Sequence, residues 1–245
     1  MKLLTFNIRY PEPADGPNAW EHRCEAVAAT ISETGAAVAG LQEPVLDQLR
    51  YLDDALPEYR RFGVSRYGDD FEKFTAILYQ PEQVNLLDHG AFWFSETPDV
   101  PASMSWRIHK PYAVNWGYFE HRASGRTFHV YNTHFPYKPE QAEARLRSAR
   151  LLMERASGER VFLLGDFNSP AGGEVHQIFT ATFHDSWTGG PEGTFHGFTG
   201  IPSRHRLDWI LCRGPIHVES CVAITAPVAG RYPSDHFPVL GSFRI

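Results

Sequence analysis

Cysteine is scarce in this chain. Cys24, Cys212 and Cys221 are the whole complement of 245 residues. No CxxC or histidine-spaced pattern surrounds them, which excludes the usual zinc-site signatures. Cys212 and Cys221 sit in strand-like apolar segments, where a free thiol acts as a small buried hydrophobe. A reducing, cytoplasmic setting is the expectation. Long apolar runs are also missing: AAVAGL and FTAILY are far too short to cross a membrane. Met1 leads straight into the strand-like KLLTFNI, with no apolar leader and no small-residue cleavage site, so no secretory signal is expected. Basic charge is not in excess either. Lys and Arg total 23 against 29 Asp and Glu, a net charge of −6. A protein that follows nucleic-acid backbone without sequence preference usually carries a basic surface, so any polyanion would have to be met here by a local patch.

Repeats, low-complexity tracts and linkers are absent too. Pro and Gly are scattered as turn punctuation, and residues 1–245 read as one continuous domain. A chain of this length, 42% hydrophobic and 21% charged, can bury a sizeable core. Strand-like stretches run at 2–8, 36–42, 59–65, 73–80, 84–94, 112–121, 126–133, 160–165, 206–212, 216–224 and 237–244. Helix-like stretches are fewer. Trp20 to Glu33 follows Asn18 as a cap, and Pro44 to Leu56 opens with proline in a first-turn position. Pro139 to Ala156 is the clearest, with Ala142, Leu146, Ala149 and Met153 at helical spacing. Many strands with few helices predict an α/β (α+β) protein, and two sheets face to face with helices outside would fit the pattern.

Polar clusters recur in one context, at the ends of apolar strand-like runs. Asn7 follows LLTF, Gln42-Glu43 follows AAVAGL, and Asn132-Thr133-His134 follows FHVY. Asp166-Phe167-Asn168 follows VFLL, and Asp235-His236 precedes FPVLGSF. A sixth acid, Asp208, is embedded in RLDWILC; a buried carboxylate is costly unless paired, and a protonated histidine or a metal is its natural partner. In LLGDFNS, Asp166 and Asn168 are two apart and would face one point on an extended backbone, although an Asx-turn would use the same residues. If these strand ends converge, Asn7, Glu43, Asp166, Asn168, Asp208 and Asp235 form an oxygen-rich site, which suits Mg²⁺ or Mn²⁺ rather than zinc. His134 and His236 are then free for acid–base or phosphate-contact work, and the combination suits in-line hydrolysis of a phosphate ester.

TFNIR, GLQE, NTHF, GDFNS, RLDWIL and SDHFPV, in that order from residue 5 to residue 240, resemble the endonuclease/exonuclease/phosphatase superfamily. GPNAWEHR, FWFSETPDVP and GTFHGFTG are similar to a bacterial subgroup of it. The resemblance implies a four-layer α-β-β-α sandwich, two mixed sheets face to face, with the site at one edge. It also implies roles. Asn7, Glu43 and Asp235 would be the metal-side residues, Glu43 the firmest ligand. Asp166, helped by Asn168, would orient or deprotonate the attacking water. His236, held by Asp208, would contact the scissile phosphate, and His134 would be a second phosphate contact or the proton donor to the leaving oxygen. Glu72 matches the family acid that orients this histidine. The implied activity is metal-dependent phosphoester hydrolysis, on a small phosphorylated molecule or, as the alternative, on DNA or RNA. No protein partner is implied.

The chain departs from the subgroup in one place. Pro111-Tyr112 stands where a Pro-Arg pair is expected, and Arg107 is the nearby candidate to compensate. Arg9, Arg107 and Arg206 are the candidate substrate contacts; the Arg204-His205-Arg206 cluster reads as a solvated loop ahead of a phosphate-binding edge. His196 is left undecided. The aromatic residues Phe92, Trp93, Phe94, Trp106, Trp116 and Phe135 read as core ahead of a stacking rim.

Overall fold

The computed structural model describes residues 1–245. One six-stranded sheet runs, edge to edge, β11 (His217–Ala223), β12 (Val239–Arg244), β1 (Lys2–Asn7), β2 (Val38–Gln42), β4 (Ile77–Tyr79) and β3 (Arg60–Phe62). The other runs β5 (Val84–Trp93), β6 (Ala113–His121), β7 (Arg126–His134), β8 (Val161–Asp166), β10 (Asp208–Arg213) and β9 (His184–Asp185). Only β1/β2 and β7/β8 pair in parallel, and a parallel pair needs a long crossover. Helices α1 (Trp20–Thr34) and α3 (Ala142–Arg155) supply those crossovers. With α2 (Leu46–Ala55) and α4 (Glu174–Thr180) they cover the outer faces.

Burial on both faces explains why the central strands are continuously apolar rather than alternating. Leu3, Phe162 and Leu164 pack between the sheets with Phe128, Val239 and Phe243. Their neighbours Leu4 and Phe6 face α1 and α2, while Leu163 faces α3 and α4. Three apolar layers therefore separate four layers of structure, the sandwich that the motifs imply. No helix is long and apolar enough to cross a membrane.

Two of the polar residues at strand ends lock the sheets together. The buried Asn132 amide donates to the Leu41 and Ala76 carbonyls at 2.9 Å, and its oxygen accepts from Gln42 Nε2 at 2.6 Å. Gly40 makes room for it: a Cβ there would lie 2.7 Å from Asn132 Oδ1. Asn132 and Gln42 thus bridge the sheets below the site.

Several local readings change. Asn18 does not cap α1; Ala19 holds that position with no side-chain cap, because the turn Pro13–Asn18 runs directly into the helix. Pro44 lies outside α2, whose cap is Val45. The stretches 59–65 and 73–80 shorten to three-residue strands. Between them the Asn115 side chain replaces the ladder, accepting from Val64 N–H at 2.8 Å and donating to Val64 O at 3.1 Å. Helix α4 and strand β9 were not expected. They are too short for periodicity to reveal, and Val175 and Phe179 anchor α4 through the tertiary core.

Candidate active site

The ends of β1, β2, β7, β8 and β10 meet at one edge of the sandwich. Register decides what faces what: His134 lies opposite Asp166 across β7/β8, and Asp166 lies opposite Asp208 across β8/β10. Residues level with one another on adjacent strands share a face, so three ionisable groups stand in a row. All three are buried. Gly165 permits this approach, since a Cβ there would meet the Thr133 carbonyl at 2.3 Å, and its φ is +158°.

Asp166 is the hub. Its Oδ2 accepts from Asn7 Nδ2 at 3.0 Å and lies 3.5 Å from His134 Nε2 and 3.8 Å from His236 Nε2. Its Oδ1 accepts from the Asn168 backbone N–H at 2.9 Å, the Asx-turn that the sequence allowed. Asn168 is left-handed there (φ 46°) and its side chain donates to the Phe135 carbonyl at 2.9 Å. The turn and the site are therefore one device: the same hydrogen bond that leaves the strand fixes the carboxylate. Burial and the neighbouring Asp208 raise the Asp166 pKa above the ordinary carboxylate value.

The two histidines are driven apart. Burial lowers the His134 pKa to about 4, so its imidazole is neutral near pH 7. Burial also works against charge on His236, but Asp208, Asp166 and Asp235 outweigh it and raise that pKa to about 10. His236 Nδ1 lies 2.9 Å from Asp208 Oδ2, the pairing that the motifs imply. One site thus holds a neutral imidazole and an imidazolium on either side of a single carboxylate oxygen.

Asn7, Glu43 and Asp235, the residues expected on the metal side, border the same cavity, of about 660 Å³. Glu43 follows β2 in a left-handed conformation (φ 71°). Burial opposes its ionisation, but Lys73, whose Nζ is 3.0 Å from Oε2, and Arg66 hold its pKa at about 2. Asp235 accepts from Ser234 Oγ at 3.2 Å and faces Arg9 Nε at 3.8 Å. Asn7 is partly committed, its amide donating to Asp166 and its oxygen accepting from Arg9 N–H at 3.0 Å. This all-oxygen donor set suits a hard divalent cation. Asp166, Asp208 and His236 also present ligand atoms within 4.8 Å of one another. Because Asp208 and His236 are hydrogen-bonded to each other, that trio reads better as an acid–histidine pair beside the hub.

The family model described as Endonuclease/Exonuclease/phosphatase family matches residues 4–236. This chain belongs to that family. Among solved structures it is similar to an endonuclease/exonuclease/phosphatase from Bacteroides vulgatus, at 29% identity and TM-score 0.92, covering 100% of this chain and 98% of that one. A mannosyl-6-phosphatase of Bacteroides thetaiotaomicron VPI-5482 is 28% identical with TM-score 0.91, and both chains are covered fully. A protein of unknown function from Enterococcus faecalis V583 is 32% identical with TM-score 0.90, covering 100% and 99%. No curated protein matches the chain. The family's fold and its activity, hydrolysis of phosphoric esters, are this chain's.

Within that family frame the substrate contacts fall differently from expectation. Arg107 is exposed and borders no part of the cavity, so it does not replace the missing arginine. Arg206 is buried, pairs with Asp185 on β9 and lies over Trp187 at 4.7 Å, a structural use. Arg9 does line the cavity, held by Asp15 through two hydrogen bonds of 3.0 Å. Glu72 lines it as well, but makes no contact with His134; it meets Lys110 at 2.5 Å and Arg66 at 3.9 Å. His196 stacks on Phe237 at 4.0 Å, and its backbone N–H donates to Asp235 O at 2.8 Å, so it shapes the Asp235-His236 turn from behind. Phe92, Trp93, Phe94 and Phe135 are core, while Trp106 and Trp116 pack partly buried against it. The rim rings are Phe71, Tyr137 and Phe195 instead.

Arg66, Lys73 and Lys110 were missed, because a charged run in a loop carries no sign of which way it folds. Arg23 was missed too. Fully buried in α1, it donates to the carbonyls of Ile8, Arg9, Tyr10 and Pro233, tying two site loops together. Arg206→Ala is expected to lower the melting temperature and Arg107→Ala to leave it unchanged. Both should keep kcat/KM within about twofold, as surface and structural changes away from the chemistry do; steady-state kinetics with thermal melts check this.

Proposed function

We propose that this phosphoesterase is Mg²⁺- or Mn²⁺-dependent and cleaves the phosphate ester of a small polar molecule by direct attack of water. The observation that carries this reading is the convergence of both imidazole Nε2 atoms on Asp166 Oδ2, at 3.5 and 3.8 Å. Asp166, fixed by Asn7 and the Asn168 N–H and made more basic by burial, takes the proton of the attacking water. His236, charged and held by Asp208, faces the negative charge that develops on the phosphoryl oxygens. His134, neutral, contributes a hydrogen bond rather than a charge. Glu43 and Asp235, with Asn7 beside them, would hold a divalent cation, which when bound would supply polarisation of a phosphoryl oxygen. Lys73 and Lys110, each beside a carboxylate (Glu43 and Glu72), bring positive charge to the cavity wall, a local patch that suits a small anionic substrate on a chain of net charge −6. Similarity to a mannosyl-6-phosphatase supports including a sugar phosphate among the candidate substrates. Three free cysteines support a reducing, cytoplasmic setting.

A nuclease is the second reading, favoured by the exposed rings of Phe71, Tyr137 and Phe195 around the cavity, on which bases could stack. A panel of sugar phosphates, aryl monoesters and diesters, and oligonucleotides separates the two. EDTA should abolish turnover and Mg²⁺ or Mn²⁺ restore it; metal-independent turnover sinks the proposal. Small-ester hydrolysis should change little with added salt, whereas nuclease binding falls by orders of magnitude.

A further inference from the structure

Arg66 occupies an unusual place for an arginine. Its backbone is fixed at both polar atoms: its N–H donates to Lys73 O at 3.0 Å, and its carbonyl accepts from Trp93 Nε1 at 2.6 Å. The side chain is buried, and its guanidinium lies over the Tyr112 ring at 4.6 Å. Tyr112 in turn presents itself edge-on to His134, with ring centroids 6.3 Å apart. So the tyrosine that stands in the expected arginine position is the platform for a guanidinium arriving from another loop. From there Arg66 Nη2 reaches to 3.5 Å from His134 Nδ1, and Nη1 to 3.9 Å from Glu72.

A guanidinium has five N–H donors and no acceptor. At 3.5 Å the contact is too long for a strong hydrogen bond, yet an N–H on Nδ1 would point its hydrogen at the hydrogens of Nη2. The other ring nitrogen has the opposite surroundings. Nε2 faces Asp166 Oδ2 at 3.5 Å and Glu43 Oε1 at 3.9 Å, both acceptors. Donors lie on one side of the ring and acceptors on the other, and the ring proton follows them.

We propose that Arg66 is a positioning residue that pins His134 as the Nε2–H tautomer, with a bare Nδ1. A carboxylate at Nδ1 would select the reverse tautomer, and that is the arrangement expected of Glu72 acting directly on the histidine. By interposing a guanidinium between Glu72 and His134, this chain turns the ring's N–H toward the cavity. The catalytic consequence, which rests on the phosphoesterase reading above, is that His134 offers a hydrogen bond to a phosphoryl oxygen and does not accept a proton at Nε2. Glu72 and Lys110 then act one step removed, by holding Arg66.

The test is long-range ¹H–¹⁵N correlation NMR on the metal-free, ¹⁵N-histidine-labelled full chain, read at His134 in the wild type, Arg66→Lys and Arg66→Gln. Lysine is also a pure donor, so R66K should keep the Nε2–H pattern. Glutamine can offer its carbonyl oxygen to Nδ1, so R66Q should populate Nδ1–H. In parallel, R66Q should lower kcat by roughly 100-fold, the loss expected for one preorganised donor, with KM changed far less; R66K should recover most of it. Nδ1–H in the wild type, or an unchanged Nε2–H pattern in folded R66Q, overturns the proposal. If R66Q does not fold, as a thermal melt would tell, the wild-type and R66K spectra still decide. An Nε2–H pattern in a protein without EDTA-sensitive hydrolysis would overturn the functional reading and leave the tautomer assignment standing.

Discussion

Asp166→Asn should lower kcat by on the order of 10³-fold while the protein stays folded, because the group proposed to accept the water's proton is replaced by one that cannot. The amide keeps the size of the carboxylate and can still accept from the Asn168 N–H. Its NH₂ then faces the Asn7 amide where Oδ2 had accepted a hydrogen bond, a local cost confined to one buried contact. The wild-type carboxylate is itself under strain. Its raised pKa means that burial and Asp208 disfavour its charged form in the folded state. Stability contributed by a carboxyl with a raised folded pKa is present at low pH and is lost as pH rises through that pKa. Asp166 ionised at neutral pH therefore costs stability, which the asparagine variant does not pay. Single-turnover kinetics and denaturant melts measure the two effects separately. Full activity in D166N would remove Asp166 from the chemistry altogether.

Asp208→Asn is the second large effect, and its signature is a pH profile. Asp208 Oδ2 holds His236 Nδ1 at 2.9 Å, and its Oδ1 is buried with no hydrogen-bond partner. An asparagine can keep the Nδ1 contact through its own oxygen while its NH₂ takes the unpartnered position. What it removes is the largest of the three carboxylate charges that together keep His236 protonated up to about pH 10. The alkaline limb of kcat against pH should then move acidward by more than about one unit, since each unit corresponds to about 1.4 kcal/mol of lost charge interaction. On the alkaline side of its shifted limb the variant should be slower by roughly 10- to 100-fold, and the deficit should narrow as pH falls and His236 regains its proton. The stability sign follows from the same pair. A histidine whose folded pKa lies above its unfolded value of 6.5 stabilises fully below about pH 6.5 and loses that contribution as pH rises to about 10. Wild-type unfolding free energy should decline across that window, and D208N, in which Asp166 and Asp235 still favour the charged ring, should decline less and over a narrower pH range. An alkaline limb that stays in place in D208N would show that another group sets it.

Much of this site was legible before any folding, for a physical reason. A catalytic carboxylate or imidazole must be held rigidly at the end of a buried strand, and buried strands announce themselves as short apolar runs. Asn7, Glu43, His134, Asp166, Asp208 and His236 could be named because each sits next to such a run, and the structure brings all of them to one edge. The same logic overreached where a strand end faces inward. Gln42 and Asn132 are next to Glu43 and His134 in the clusters, yet they spend their amides binding one sheet to the other.

Loop residues were not legible. Arg66, Lys73 and Lys110 come from two segments far apart in sequence, and nothing local says that 66–73 and 110 close over the same cavity. Arg206, adjacent to a site strand, looked like a phosphate contact, but Asp185 on a two-residue strand holds it in the core. The apolar runs and the acids, amides and histidines at their ends determined which groups converge at this edge, since their burial is written in local periodicity. Tertiary structure alone decided their protonation. Whether a histidine is neutral or charged, and which nitrogen carries its proton, depends on Arg66, Asp208 and Asp166 arriving within a few ångströms, and electrostatics at that range is set by the fold.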